Sequence, residues 1–367
     1  MSQSGRIAVR DSWEVGFRIA EYPVPEPEPG AMLVKISMAN ICGSNIHSWR
    51  GDSKRSSRRF PRNDGHEGTG TVAALGEGVA VDGSNQPLHI GDRVIFSLFY
   101  PCGRCRACLK GKEWCCPERK KHDLESADVW PHFRGTFADY YYLHPGHTVF
   151  KVPDDLPDEM IAGVNCAMGQ VTCGLEVAQV GLGDQVVIQG AGGLGVYAIA
   201  VARERGAGKI IVVDQVTERL QLALDFGADE LIDMRELPEP EQRISRVKEL
   251  TDGWGADVAI ELVGYPRVVE EGIAMLGQGG RYLEIGNISR GHTYAADPEQ
   301  WVHSNIAILG NNNYARRHLS EALDLMRRRR DTYPFHRIVS HKYPLEQVNE
   351  AFDAQSKGHV TRACLVP

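Results

Sequence analysis

Cys102, Cys105, Cys108 and Cys116 fall in one short segment with the spacing C-x2-C-x2-C-x7-C. Four thiolates so placed can close a tetrahedral zinc site with no position left for substrate, which makes the metal structural. An iron–sulfur cluster and unligated thiols are the competing readings. Cys115 adjoins Cys116 but is out of step with the spacing. A second set is dispersed along the chain. Cys42 opens Cys-Gly-Ser-Asn-Ile-His47, His66 sits in Gly65-His-Glu-Gly68, and Cys166 sits in Asn165-Cys-Ala-Met168. Taken singly, each reads as an ordinary buried residue. Taken together they supply a Cys2His set whose fourth position stays open to water or substrate, as a catalytic zinc requires. Cys173 and Cys364 read as buried small hydrophobes.

The segment Gly190-Ala-Gly-Gly-Leu-Gly195 fits G-x-G-x-x-G through Gly190, Gly192 and Gly195, with Gly193 and Leu194 inside it. It follows an apolar run ending at Ile188 and opens a helical one, the context a dinucleotide fold needs. The first glycine permits the tight turn, the second lets backbone approach a pyrophosphate, and the third lets helix and strand pack closely. Asp214 ends the next apolar run, nineteen residues past Gly195. A carboxylate there suits a ribose 2′-hydroxyl and repels a 2′-phosphate, which favours NAD over NADP. Arg219 follows within reach of the adenosine end. A ligand-free glycine-rich turn is the competing reading.

These groups need elements to hold them. The chain of 367 residues is long enough for two domains, and 42% hydrophobic with 24% charged residues is globular rather than disordered. The net charge of −7 weighs against nucleic acid as a partner. No apolar run reaches membrane-spanning length, and no signal peptide is visible at the N-terminus, so a cytoplasmic protein with reduced thiols is expected. Short strands are expected over 32–38, 70–75, 92–96 and 136–143, with a Pro-rich linker at 23–29. From about 170 the rhythm changes. Strands near 185–188, 209–213, 230–233, 257–260, 281–285 and 305–309 alternate with helices near 194–205, 217–226, 241–251 and 266–276. That alternation predicts an α/β fold with a doubly wound parallel sheet. Helical spacing returns at Leu319 to Met326 and Val348 to Phe352, and Arg327–Arg330 suit a helix C-terminus. The tail is too short for a domain, so the parallel-sheet unit is read as inserted in the first.

Together these motifs resemble the zinc-dependent medium-chain alcohol dehydrogenase family, over nearly the whole chain, including Gly91-Asp-Arg-Val94. The resemblance implies a GroES-like β-rich catalytic domain at 1–167 carrying the structural zinc lobe. It implies a Rossmann NAD-binding domain at 168–310 and a segment at 311–367 that completes the first. It implies NAD and two zinc ions per chain: one on Cys42, His66 and Cys166, the other on the four clustered cysteines. Glu67 then corresponds to an acid that transiently ligates the metal, and Ser44 to the hydrogen-bond partner of the alcohol. His47 is the outer end of a proton relay through the nicotinamide ribose, and Arg362 approaches the pyrophosphate. Val263, Ile285 and Gly286 lie beside the nicotinamide. Family members form homodimers or homotetramers. Asn45 stands where the family usually has an aspartate that orients the zinc-binding histidine, so a less basic His66 is expected.

The expected reaction interconverts an alcohol and its ketone or aldehyde by hydride exchange with NAD. A secondary or cyclic alcohol, terpenoid alcohols included, is the first choice, with Trp49, Phe99, Tyr100, Trp130 and Met168 near family pocket positions. Five basic residues in Lys54-Arg-Ser-Ser-Arg-Arg-Phe-Pro-Arg62 raise an alternative, an anionic alcohol steered to the site. A zinc-free quinone or enoyl reductase would lack the Cys42, His66 and Cys166 set. A non-catalytic protein with zinc only in the lobe would not need Ser44, His47 or an open metal position.

Overall fold

The computed structural model describes residues 3–52, 59–119, 125–289, 291–358 and 360–367. The chain divides into two compact units. The first comprises Met1–Gly169, Ala315–Arg330 and Phe335–Pro367; the second comprises Gln170–Tyr314 with Asp331–Pro334. The tail expected at 311–367 is thus split, because residues 311–314 and 331–334 pack with the second unit.

In the first unit seven strands form one sheet, in the order His341–Pro344, Ala363–Val366, Met32–Asn40, Thr69–Leu75, Arg93–Phe96 and Val149–Lys151, with Tyr140–Leu143 also paired to Met32–Asn40. The tail joins because Ala363–Val366 adds antiparallel to Met32–Asn40, with Cys364 opposite Asn40. Val34, Ile36, Val72, Val94 and Phe96 from the strands bury against Leu345, Phe352 and Leu365 from the tail. A three-stranded sheet, in the order Arg18–Pro23, Ser4–Arg10 and Arg62–Asn63, completes the unit. None of these three strands is evident from alternation alone. The strand expected over 136–143 begins only at Tyr140. Its first residues bond elsewhere: Thr136 Oγ1 donates to the Glu67 carbonyl at 3.1 Å and Phe137 N to the Asp64 carbonyl at 3.1 Å.

The second unit is a six-stranded parallel sheet, in the order Glu230–Asp233, Lys209–Asp214, Gln185–Gln189, Ala256–Glu261, Leu276–Glu284 and Ala307–Gly310. Relative to chain order this is 3-2-1-4-5-6, the doubly wound arrangement whose strand order reverses beside the first strand. Val186, Val187 and Ile188 are buried with no alternation, as a strand covered on both faces requires. Helices Gly193–Glu204, Thr217–Asp225, Pro240–Leu250 and Arg267–Ala274 connect the strands where helical spacing predicts them. Two of these helices are linked by a buried, bidentate pair, Arg243 Nε and Nη2 to Glu271 at 2.6 and 2.7 Å.

Candidate functional site

In the first unit one sulfur from each of Cys102, Cys105, Cys108 and Cys116 lies within 4.8 Å of the others. A tetrahedron with metal–sulfur bonds of about 2.3 Å has sulfur–sulfur edges of about 3.8 Å. The Cys105–Cys108 and Cys105–Cys116 separations, 3.5 and 3.9 Å, fit such a site. Two backbone amides already point at its sulfurs: Cys105 N to Cys102 Sγ at 3.3 Å and Cys102 N to Cys116 Sγ at 3.4 Å. Gly103 supplies a positive φ of 71° at the turn between ligands. Cys116 is buried in the cluster and Cys115 is exposed. The lobe is fastened by Glu113, which holds the Arg316 guanidinium at 2.6 and 3.0 Å and its backbone N–H at 2.9 Å. Burial alone would raise the Glu113 carboxyl, but the bonds from Arg316 more than offset it and bring it below its ordinary range.

The dispersed set converges in the same unit. Ligand atoms of Cys42, His66, Glu67 and Cys166 lie within 4.8 Å of one another, and the two sulfurs are 3.9 Å apart. They arrive on three separate elements. Cys42 is the N-cap of the helix Gly43–Trp49. His66 and Glu67 follow a turn at Gly65, φ 94°, where a side chain would meet Thr136 Oγ1 at 2.5 Å. Cys166 sits on a π-helical turn, Val164–Met168, of the kind enriched at functional sites. The hydrogen bond with Cys166, reinforced by His66, draws the Cys42 thiol well below its usual range against the opposing effect of burial. The same contact and burial push Cys166 the other way. Two sulfurs so placed are a pair that a dication would hold as thiolates.

Glu67 is wholly buried, and burial pushes its carboxyl up to about 8. Its Oε2 accepts from Arg362, while its Oε1 has no hydrogen-bond partner. An orphaned carboxylate oxygen among two sulfurs and an imidazole is a further fit to a divalent zinc. Arg362 is 3% exposed and forms its ion pair with Glu67, a partnership absent from the sequence reading. Asn45 is also buried, and its Oδ1 accepts from Cys42 N at 3.0 Å. It closes the helix cap at the first ligand, a task that needs a carbonyl oxygen but no charge.

Ser44 and His47 are three residues apart and share a face of the helix Gly43–Trp49. His47 Nδ1 lies 3.2 Å from Asp52 Oδ2. Of the basic loop, Lys54, Arg55 and Arg58 lie outside the described residues. Arg59 is exposed, but Arg62 is buried against Asp64 and Ser48 and steers nothing. The aromatic set disperses too. Trp49 stacks on Phe17, with ring centroids 5.7 Å apart, and packs on Phe352 in the core. Phe99, Tyr100 and Met168 are buried, and Trp130 is exposed beside Tyr142.

In the second unit Gly190 has φ 96° and donates to the Val213 carbonyl at 2.8 Å. Gly192 is the N-cap of Gly193–Glu204, and a side chain there would meet nothing within 4 Å. A Cβ at Gly195 would lie 2.1 Å from the Gly190 carbonyl oxygen. The three glycines therefore differ in setting: Gly190 in a turn, Gly192 open at a helix N-terminus, and Gly195 packed against backbone. Leu194 lies in the first turn of that helix. Asp214 ends its strand and accepts from Ala191 N at 2.7 Å, Gln215 N at 2.7 Å and Val216 N at 2.9 Å. Its carboxylate thus also ties down the glycine loop. Arg219 is half-buried in the first turn of Thr217–Asp225. Val263 flanks Gly190, whose Cβ would be 3.0 Å from the valine Cγ2. Ile285 is buried and Gly286 packs against Glu261.

Sequence patterns missed Asn165, Asp52, Glu261 and Glu284. Asn165 is buried; its Nδ2 donates to the His66 carbonyl at 3.0 Å and its Oδ1 accepts from Gly68 N at 3.2 Å. Only its place beside Cys166 could have drawn notice.

Residues 28–154 match the family described as alcohol dehydrogenase GroES-like domain, and 193–328 match zinc-binding dehydrogenase. The chain is 31% identical to 5-exo-hydroxycamphor dehydrogenase of Pseudomonas putida over 95% of its length and 93% of the relative's. It is 27% identical to L-threonine 3-dehydrogenase of Bacillus licheniformis over the full length of both chains. Its fold superposes on an alcohol dehydrogenase from Thermotoga maritima with a TM-score of 0.92 and 26% identity, covering 100% of each chain. With both metal-ligand sets assembled on a GroES-like unit and a glycine loop on a parallel sheet, the chain belongs to the zinc-binding, medium-chain alcohol dehydrogenase family.

Proposed function

We propose that the protein is a zinc- and NAD-dependent dehydrogenase that interconverts a secondary or cyclic alcohol and its ketone. The observation that carries this reading is the convergence of Cys42, His66, Glu67 and Cys166 from three separate elements within 4.8 Å. A non-catalytic protein has no use for a second, buried ligand set beside the structural one. Zinc held there would supply polarisation of an alcohol or carbonyl oxygen, and NAD would supply the hydride exchange.

The chain's own residues do the rest. Cys42, His66 and Cys166 would hold the metal, with the Glu67 carboxyl near enough to serve as a further ligand. Ser44 accepts the alcohol's proton, and His47, on the same helix face and against Asp52, exchanges it with solvent. The glycine loop receives the pyrophosphate, Asp214 selects a free 2′-hydroxyl, and Arg219 lies at the adenosine end. Val263, Ile285 and Gly286 flank the nicotinamide. Arg362 supports the site through Glu67, and a pyrophosphate contact from it would have to share that pair.

The names of two relatives, 5-exo-hydroxycamphor dehydrogenase and L-threonine 3-dehydrogenase, both denote oxidation at a secondary hydroxyl. Burial of Arg62 removes one cation from the anionic-substrate alternative. A homodimer or homotetramer is proposed, supported by the exposed edge strand Ala307–Gly310. No helix among the described residues is long and apolar enough to cross a membrane. Cytoplasmic action rests on that and on the free thiols.

The test is NAD⁺ reduction by the zinc-loaded protein across primary, secondary, cyclic and anionic alcohols. Secondary or cyclic alcohols should give the highest kcat/KM. No turnover with any alcohol, at two bound zinc ions per chain, would sink the reading.

A further inference from the structure

The parallel sheet of the second unit reverses its strand order between Gln185–Gln189 and Ala256–Glu261. Ligands of such sheets bind outside the carboxyl ends of the strands at that reversal. Glu261 is the last residue of its strand there, paired with Gln189 on one side and Glu284 on the other. It is wholly buried. Its Oε1 accepts from Val263 N and Gly264 N, both at 2.6 Å. Its Oε2 accepts from Gly286 N at 3.0 Å and from Asn287 Nδ2 at 3.2 Å. Two donors on each oxygen fill the lone-pair positions of an ionised carboxylate. Main-chain N–H groups turned onto one anion supply most of what the buried charge needs.

The same carboxylate reaches two loops. Val263 and Gly264 follow its own strand, while Gly286 and Asn287 follow the neighbouring strand Leu276–Glu284. The approach is tight: a Cβ at Gly286 would lie 2.5 Å from Glu261 Oε2 and 2.7 Å from Gly264 N. Asn287 comes already oriented, because Glu284 accepts from its N at 3.0 Å and from its Nδ2 at 3.1 Å. The first loop in turn meets the nucleotide turn. Leu262 N donates to the Gln189 carbonyl at 3.0 Å, and a Cβ at Gly190 would lie 3.0 Å from Val263 Cγ2.

We propose that Glu261 is a positioning residue for the nicotinamide end of the cofactor site, an internal anion that gathers the loops after two adjacent strands and fixes their spacing. The proposal rests on the reading of Val263, Ile285 and Gly286 as nicotinamide contacts. Glu261 acts through the N–H groups it holds and meets no ligand itself. A neutral amide cannot take its place. Glutamine offers one acceptor oxygen and one donor NH2, so half of the converging N–H groups would face another donor. Buried donors left without an acceptor force the loops apart or onto water. The adenosine half has its own supports: Gly190 N donates to the Val213 carbonyl at 2.8 Å, and Asp214 holds Ala191 N at 2.7 Å. Loss of Glu261 should therefore act on the nicotinamide half.

The experiment titrates the full-length protein with NADH and with ADP-ribose, which keeps the adenosine, both phosphates and the second ribose but has no nicotinamide. In Glu261→Gln the Kd for NADH should rise at least about tenfold while that for ADP-ribose stays within about twofold. Exchange of the Val263, Gly264 and Gly286 amides, read by NMR, should quicken at least about tenfold in the variant. Asn287→Ala removes one donor and keeps the carboxylate, so it should fold as the wild type does and show a smaller, parallel loss for NADH. It carries the test if Glu261→Gln does not fold: an unchanged Kd for NADH in Asn287→Ala then overturns the proposal. Equal weakening of NADH and ADP-ribose would show a general structural role and also overturn it, as would fast exchange of the three amides in the wild type. Quickened exchange in Glu261→Gln with both affinities unchanged would uphold the anchor and overturn the nicotinamide reading alone.

Discussion

Asn165 and His66, ninety-nine positions apart, are joined by a hydrogen bond of 3.0 Å from the asparagine Nδ2 to the histidine carbonyl. The Oδ1 of the same amide accepts from Gly68 N, so one side chain fixes the backbone on both sides of Glu67. Asn165 also adjoins Cys166, and thereby ties two ligand-bearing segments together. Asn165→Ala would leave a buried carbonyl and a buried N–H unsatisfied, at about 2 kcal/mol or more. Denaturant unfolding should show that loss, and metal analysis should show weaker retention of one zinc only. Full retention of both ions under a chelator would refute the clamp.

Gly195 and Gly192 should respond oppositely to alanine. Gly195→Ala puts a methyl group against the Gly190 carbonyl and should cost about 2–3 kcal/mol of stability. Gly192→Ala meets nothing in the protein, so it should fold normally and yet bind NADH at least about tenfold more weakly, because the methyl group occupies the approach to the pyrophosphate. Wild-type affinity in Gly192→Ala would contradict the assignment.

The two metal centres should separate by mutation. Cys105→Ser should lose one zinc and lower the thermal midpoint, since that ion organises its lobe. Cys42→Ser should lose the other zinc and abolish turnover with the fold retained. Loss of both ions from either variant would show that the centres are not independent.

Arg316→Ala should loosen the structural lobe by releasing Glu113. Arg316 is partly exposed, so the expected cost is about 1 kcal/mol at neutral pH. The folded pKa of Glu113 lies below its ordinary 4.5, so the pair's contribution is complete above that value and disappears as pH falls through the depressed one. Wild type and variant should therefore converge in acid, measured as unfolding free energy against pH. A gap that widens on acidification would reverse the assignment.

Ser44→Ala should lower kcat by about 100-fold with both zinc ions retained, as expected for loss of a group that accepts a proton. His47→Gln should cost less at alkaline pH, where solvent base takes over proton removal. An unchanged kcat in Ser44→Ala would remove it from the proton path.

Much of the site could be read locally. Cys102 to Cys116 lie on one loop, and Gly190 to Gly195 form one strand–helix turn, so spacing alone carried their geometry. Inner strands of the parallel sheet such as Gln185–Gln189 and Lys209–Asp214 were equally legible, because strands covered on both faces are continuously apolar. The strand Ala363–Val366 was not, since its antiparallel partner Met32–Asn40 lies far along the chain.

Types and spacing alone determined which residues could ligate zinc and cradle a dinucleotide. The tertiary structure decided how their neighbours bond. It set Asn165 under His66, gave Arg362 to Glu67, buried Arg62 against Asp64, and placed Glu284 beside Glu261. Hydrogen bonds and buried charges are satisfied by whichever partner strand register and packing bring within about 3 Å. No local pattern encodes that distance, whether the partners are neighbours in sequence like Arg62 and Asp64 or 295 positions apart like Arg362 and Glu67.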